Sequence, residues 1–360
     1  MAARRYSIGT QTFEKLITEN RVYVDKTELI YNLVQYHYIF LSRPRRFGKS
    51  LLCSTLKSYF EGRKDLFKGL AMEKLETEWV EYPVIHLSFA ANKGESLIGV
   101  DDLIDRRLAE YEKKYNISER QKSYSGRFEA IVNAAYEQTG RQVVVILDEY
   151  DAQMLNTIDN DELQAKVREK MNDLFSPLKD LDPKLRFIFI TGITKFSQMS
   201  IFSALNNLND ISLDPEYEGL CGITKDEMTT VLKEDLEAFA IHNGITYEET
   251  LQKFKERYDG YHFSIQKQDI FNPYSVFSAL DKKELRNYWF NTGTPSSLIK
   301  LINKFDFEMP EISRIKCRAS DFSQPVEKVT EFEKGFFEFL KSRYPDVPAS
   351  IKDQKVITED

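Results

Sequence analysis

Cysteine and histidine are scarce in this 360-residue chain, which holds three of the first (Cys53, Cys221 and Cys317) and four of the second. Three thiols, odd in number and far apart, define neither a disulfide framework nor a zinc ligand set by their spacing. No H-E-x-x-H pattern sets two imidazoles on one helix face. No apolar run approaches the roughly 18 residues of a membrane span. The N-terminal "MAARRYSIGTQTFEK" has no apolar signal core. A reducing cytoplasm, without membrane contact, is the expected location. Internal repeats and low-complexity tracts are also missing. A content of 42% hydrophobic residues is enough for a sizeable core. At roughly 150 residues per domain, the length suggests two domains.

Charge is present and uneven. The net charge is -7, so the whole surface is no polyanion binder. Residues 1–60 nevertheless carry ten Lys/Arg against four Asp/Glu, a balance of +6 that leaves -13 for the rest. A local basic excess of this kind favours a local anionic ligand such as a nucleotide.

Strands and helices alternate along the first two thirds. A short helix, a turn near Asn20 and a second helix from about Lys26 precede "YHYIFLS" (36–42), an aromatic and β-branched run that reads as a buried strand. "YPVIHLSF" (82–89), "QVVVILDEYD" (142–151) and "KLRFIFITGITKFS" (184–197) read as further strands. The run at 142–151 is apolar on both faces, as in a parallel sheet. Residues 98–139 suggest two helices broken near Ser123–Gly126, and 160–181 another helix. This order predicts an α/β fold: a mainly parallel sheet with flanking helices. From about Thr224 the pattern turns helical. "TKDEMTTVLKEDLEAFAIHNG" reads as one helix capped by Thr224 and closed at Gly244. "YEETLQKFKERYDG", "NPYSVFSALDKKE" and "TPSSLIKLINKF" read as others, with no strong strand among them. A smaller helical lid domain is expected there.

The chemistry is expected at strand-to-loop junctions. "SRPRRFGKSLL" (42–52) follows the first strand and precedes a run with helical spacing, the context a phosphate-binding loop requires. Gly48, Lys49 and Ser50 end such a loop: backbone N–H groups wrap phosphates, the lysine meets the β/γ oxygens, and the serine holds Mg²⁺. The glycine that would open it is replaced by Arg43, at a loss of conformational freedom. Pro44 fixes one φ angle, and Arg45 and Arg46 add positive charge; Phe47 and Leu51 complete the expected nucleotide contacts. About 100 residues later, "VVVILDEYD" ends an apolar strand on Asp148 and Glu149. That is the Walker B pattern: Asp148 would hold Mg²⁺ and Glu149 would polarise the attacking water. Without a ligand in mind, the same features read as a basic turn and as carboxylates that end a strand. At the end of the next strand, Thr191 and Thr194 could sense a γ-phosphate, and Lys195 or Arg186 could neutralise charge. They could equally cap a strand end. In "RYDGYHF" (257–263) and "NYWFNTGTP" (287–295), His262 and Trp289 read as packed residues.

Together these stretches resemble one family. "YVDKT" (23–27), "SRPRRFGKSLL", "VILDEYD", "TGITKFSQMSIFSALNNLNDISL", "GLCGITKDE", "RYDGYHF", "NPYSVFSAL" and "YWFNTGTPSSLIK" are similar, in that order, to the AAA-ATPase-like family of bacterial proteins. The resemblance covers about residues 5–322. It implies a P-loop core and a non-glycine residue tolerated at position 43. It also implies nucleotide roles for Lys49, Ser50, Asp148 and Glu149. Members usually continue into a PD-(D/E)XK nuclease-superfamily domain, which suggests a nuclease or nucleic-acid-linked partner. Here "VEKVTEFEKGFFEFLKSRYPDVPASIKDQKVITED" follows instead, and it resembles the helical C-terminal end of the rotary ATP synthase alpha subunit. No nuclease core is evident in it.

The expected organisation is a core over 1–223, a lid over 224–322 and a divergent helical segment over 323–360. The expected ligands are ATP and Mg²⁺, the expected activity is slow ATP hydrolysis, and a homo-oligomer is a candidate assembly. The rival readings are a nucleotide switch or scaffold that scarcely turns over, a module tied to nucleic-acid processing or defence, and an interaction protein of degenerate AAA fold.

Overall fold

The computed structural model describes residues 5–90, 96–195, 205, 208–264 and 268–289. Within them, five strands form one parallel sheet: β1 (Tyr38–Ser42), β2 (Val84–Ser88), β3 (Val143–Asp148), β4 (Leu185–Gly192) and β5 (Asn209–Asp210). Their spatial order is β2-β3-β4-β1-β5. β4 therefore lies between β1 and β3 and pairs with both, setting Leu41 and Asp148 each opposite Thr191.

Successive side chains of a strand point to opposite faces. On one face, Ile39 and Leu41 of β1, Val144 and Ile146 of β3, and Phe187 and Phe189 of β4 join one buried cluster. Four helices lie in that part of the chain: α1 (Phe13–Thr18), α2 (Thr27–Leu33), α3 (Lys49–Phe60) and α4 (Ala71–Leu75). The alternate residues Phe40, Val143, Val145, Leu147, Ile188 and Ile190 join a second cluster. It includes α5 (Leu97–Lys114), α6 (Tyr124–Thr139), the short α7 (Ala152–Asn156) and α8 (Asp161–Phe175). The parity has a chemical consequence. Asp148 shares the face of Val144 and Ile146, so its carboxylate is turned toward α3.

Several boundaries differ from expectation for local reasons. The 160–181 helix ends at Phe175, because Pro177 offers no N–H and disfavours helix at the residue before it; a 3-10 turn follows at Ser176–Leu178. The helix expected over 224–244 is two helices, α9 (Lys225–Thr229) and α10 (Lys233–Asn243). At the break, the Thr229 and Thr230 hydroxyls both donate to the Asp226 carbonyl, a contact that competes with regular helix. Thr224 does cap α9, in a reciprocal capping box with Glu227. Helices α11 (Tyr247–Tyr258) and α12 (Pro273–Lys282) complete the described helical part. A two-residue antiparallel ladder is also present, between β6 (Ile223–Thr224) and β7 (Ile270–Phe271).

The N-terminal segment packs on this helical part. Tyr6, Val22 and Val24 share a buried cluster with Ile223, Met228, Leu236 and Phe277, and the Tyr6 hydroxyl donates to Asp235 at 2.8 Å. The helix expected within 294–305 and the segment from 323 lie outside the described residues.

Candidate functional site

Six residues, 43–48, connect β1 to α3, and the turn is sharp. Gly48 sits at φ +95° just before the helix, and Arg46, without glycine's freedom, sits at φ +69°. The first-turn N–H groups of α3 have no partner within their helix, which makes this end attractive to anions. A cavity of about 440 Å³ opens at the loop, within the rough 300–1,000 Å³ span of small-molecule sites. Arg45, Arg46, Phe47, Gly48, Lys49, Ser50, Leu51 and Glu149 line it. Its other walls are the N-terminal Ser7–Gln11 stretch, Tyr23 and Lys26 near α2, Leu220–Ile223, and Pro273, Tyr274 and Phe277 of α12. The Arg46 guanidinium lies 5.0 Å from the Tyr274 ring centre.

Arg43, Pro44, Thr191 and Thr194, expected at the same ligand, do not line the cavity. Arg43 is wholly buried. Its Nη1 donates to the carbonyls of Ser42 at 2.9 Å and Ser212 at 2.7 Å, and its Nη2 to that of Tyr217 at 3.2 Å. The guanidinium stacks 4.1 Å from the Phe263 ring centre. Burial pushes its pKa down to about 10, against the pull of Cys221, Glu218 and Asp210. Arg43 thus fastens the loop to residues 212–217. Its carbonyl, with that of Pro44, accepts the Lys49 ammonium at 2.9 and 3.1 Å. The buried Thr191 hydroxyl donates to the Leu41 carbonyl and ties β4 to β1. Thr194 acts through its backbone: its N–H donates to Asp151 and its carbonyl accepts the Tyr150 hydroxyl. Lys195 pairs with Asp210 at 2.8 Å. Arg186 is at the far end of β4, where it donates to the Val34 carbonyl.

Asp148 lies beneath the loop, 3% exposed. Burial raises its pKa, opposed by the Ser50 hydroxyl, the Lys49 ammonium and the Cys53 thiol, each of which favours the charged carboxylate. Its Oδ1 is buried without a hydrogen-bond partner. Glu149, half-buried, also has a raised pKa, mainly from burial, with Lys49 opposing. Its φ of +50° is unusual for a residue with a side chain and sends its carboxylate into the cavity. A serine hydroxyl and a carboxylate with a free oxygen are hard donors of the kind Mg²⁺ takes.

Three contacts escaped the sequence reading because their partners are remote in the chain. The Lys26 ammonium, buried in the cavity wall, pairs with the Glu227 carboxylate at 2.5 and 2.6 Å across 201 positions. The Trp289 indole N–H donates to the Arg45 carbonyl at 3.0 Å, so this buried residue touches the loop. Asp151 accepts the Ile193 and Thr194 N–H groups at 2.8 Å each, fixing the end of β4 beside β3. A Cβ on Gly192 would come within 2.5 Å of Asp151 Oδ1, so only glycine allows that approach. His262 is half-buried, with Nδ1 3.1 Å from the Gln268 carbonyl.

Comparison with known proteins matches the chain to a family. The family described as "Predicted AAA-ATPase" matches residues 7–202. The chain is also 34% identical, over 319 residues, to a protein of Azotobacter chroococcum mcd 1 described as "Uncharacterized protein in vnfD 5'region". That match covers 88% of this chain and 59% of the relative, so the chain spans well under two thirds of the relative's length. Among the described residues, no helix is long and apolar enough to cross a membrane.

Proposed function

The chain belongs to the Predicted AAA-ATPase family, and from that premise we propose that it binds ATP with Mg²⁺ in the cavity at the 43–50 loop and hydrolyses it slowly. One observation carries the reading: Lys49 and Ser50, from the first turn of α3, both act on the carboxylate of Asp148 from β3. Two elements, α3 and β3, thus bring a cation, a hydroxyl and an acid together beneath the loop that lines the cavity. The Ser50 and Asp148 oxygens would hold Mg²⁺, which supplies charge neutralisation at the phosphates. Lys49 would exchange its two loop carbonyls for phosphate oxygens. Glu149 would orient the attacking water and take its proton; a raised pKa makes it a better base than an ordinary carboxylate. Arg45 and Arg46 add positive charge at the cavity wall.

In this reading residues 1–223 are the nucleotide core and 224–322 a lid. The base and ribose lie between the Ser7–Gln11 stretch and α12, where Tyr274 and Phe277 offer aromatic faces. Lys26 and Glu227 join the two parts across the cavity wall.

A second reading, a nucleotide switch with scant turnover, draws support from the left-handed backbone and partial burial of Glu149. Phosphate release by wild type beside Glu149→Gln separates the two. Hydrolysis predicts release that falls at least tenfold in the variant while ATP still binds. Equal, background-level release from both supports the switch.

A further inference from the structure

His86 and Cys53 take no part in the proposed nucleotide chemistry, yet both reach Asp148. Alternation along β2 turns His86 to the same sheet face as Val84, the face on which Asp148 lies. Cys53 comes one helical turn after Lys49, on the side of α3 that packs against those strands. One potential ligand atom from each of Cys53, His86 and Asp148 lies within 4.8 Å of the other two. Cys53 is wholly buried and Asp148 is 3% exposed. Asp148 Oδ1 and His86 Nε2 are both buried without a hydrogen-bond partner. Three converging donors, two of them with an unused buried atom, are an unusual arrangement to keep without a ligand.

We propose that Cys53, His86 and Asp148 form a binding site for a divalent cation of the zinc class. The donor set decides the class. Mg²⁺ and Ca²⁺ take oxygen ligands, whereas thiolate and imidazole select zinc and its neighbours. Ligand atoms around a tetrahedral zinc stand about 3.5 Å apart, so side-chain rotations of about 1 Å close the cluster. The charges balance: on binding, Cys53 releases its proton to solvent, and one thiolate and one carboxylate neutralise the dication around a neutral imidazole. Three protein ligands leave the fourth position to water. A consequence rests on the nucleotide reading. A cation held here engages Asp148 and withdraws it from Mg²⁺, so zinc weakens Mg²⁺-dependent ATP binding.

The test uses the reduced full chain without nucleotide and cobalt(II) as a spectroscopic stand-in for zinc. The expected result is a thiolate-to-cobalt charge-transfer absorption that saturates at one equivalent and is displaced by zinc. Cys53→Ser abolishes it, His86→Ala weakens cobalt affinity at least tenfold, and Cys221→Ser leaves it unchanged. X-ray absorption of the zinc-loaded wild type, which needs no variant to fold, shows a shell of one sulfur with nitrogen and oxygen. No charge-transfer band in wild type, a band that survives Cys53→Ser, or a zinc shell without sulfur overturns the site. Because no nucleotide is present, these outcomes are independent of whether the chain binds ATP.

Discussion

Lys49 and Arg43 are tied backbone to side chain: the Lys49 ammonium lies 2.9 Å from the Arg43 carbonyl oxygen. The Arg43 guanidinium meanwhile is held by the carbonyls of Ser212 and Tyr217. The position where a glycine would open the loop therefore carries the side chain that anchors it. What the loop loses in backbone freedom it gains in a fixed link to the segment beyond β5.

That link makes Arg43 a residue of stability. Arg43→Gly removes the side-chain donor from three buried carbonyls, those of Ser42, Ser212 and Tyr217, and is expected to lower the unfolding free energy by about 2–4 kcal/mol. Arg43→Lys recovers only part of this, since a single ammonium lacks the planar fork that reaches separate carbonyls. Urea denaturation of the three proteins measures it; a midpoint unmoved by Arg43→Gly contradicts the anchoring role.

The Lys26–Glu227 pair should behave as a buried ion pair. Lys26→Met strands a shielded carboxylate and is expected to cost about 3–5 kcal/mol. Adding Glu227→Gln, which keeps an acceptor for the Thr224 cap, should restore at least half of that loss. A double-mutant cycle reads the coupling, and additive effects of the two changes would show that the pair contributes nothing.

Asp151 gives a pH signature. Burial raises its pKa from the ordinary 3.8 to about 6, against the two N–H groups it accepts. A folded-state value above the unfolded one means that protonation favours the native protein. This contribution is complete below about pH 4 and is lost as pH rises through 6. Relative to Asp151→Asn, wild type should lose up to about 3 kcal/mol between pH 4 and pH 7. Unfolding of both proteins across that range gives the difference curve; a flat curve rules the shift out.

Gly222 is fixed by space as well as by backbone. At φ +105°, a Cβ there would lie 2.3 Å from Ile270 Cγ2 and 3.3 Å from the Phe47 ring. Gly222→Ala should lower the thermal midpoint by several degrees, about 1–3 kcal/mol, and Ile270→Ala added to it should relieve the clash but not the backbone strain. A Gly222→Ala protein as stable as wild type would mean that the β6–β7 ladder yields freely.

The sheet was legible because its strands announce themselves locally: "YIFLS", "VIHLS", "VVVILD" and "LRFIFITG" are short runs dominated by apolar residues. Their ends, where Ser42 and Asp148 stand, follow from the same pattern. Parity placed Asp148 on the α3 side once the sheet was known to be parallel. What the sequence hid was partnership at a distance. Arg43 read as a replacement for the loop's opening glycine and proved to be a buried anchor, a role hidden because Ser212 and Tyr217 are about 170 positions away. Trp289 read as core, and its bond to the Arg45 carbonyl depends on where the described helical part comes to rest. His86 and Cys53 carried no signal at all, since a strand histidine and a helix cysteine look like ordinary packing until β2, β3 and α3 are assembled. The 229–230 threonine pair was a local signal that could have split the 224–244 helix, through their side-chain bonds to Asp226.

Nucleotide binding at the loop is tested most directly by ATP affinity, measured by calorimetry with and without Mg²⁺ for wild type, Lys49→Ala and Asp148→Asn. The predicted result is binding by wild type that tightens with Mg²⁺, at least a tenfold loss in Lys49→Ala, and loss of the Mg²⁺ effect in Asp148→Asn. Identical affinities in all three proteins, or no binding by wild type, would contradict it.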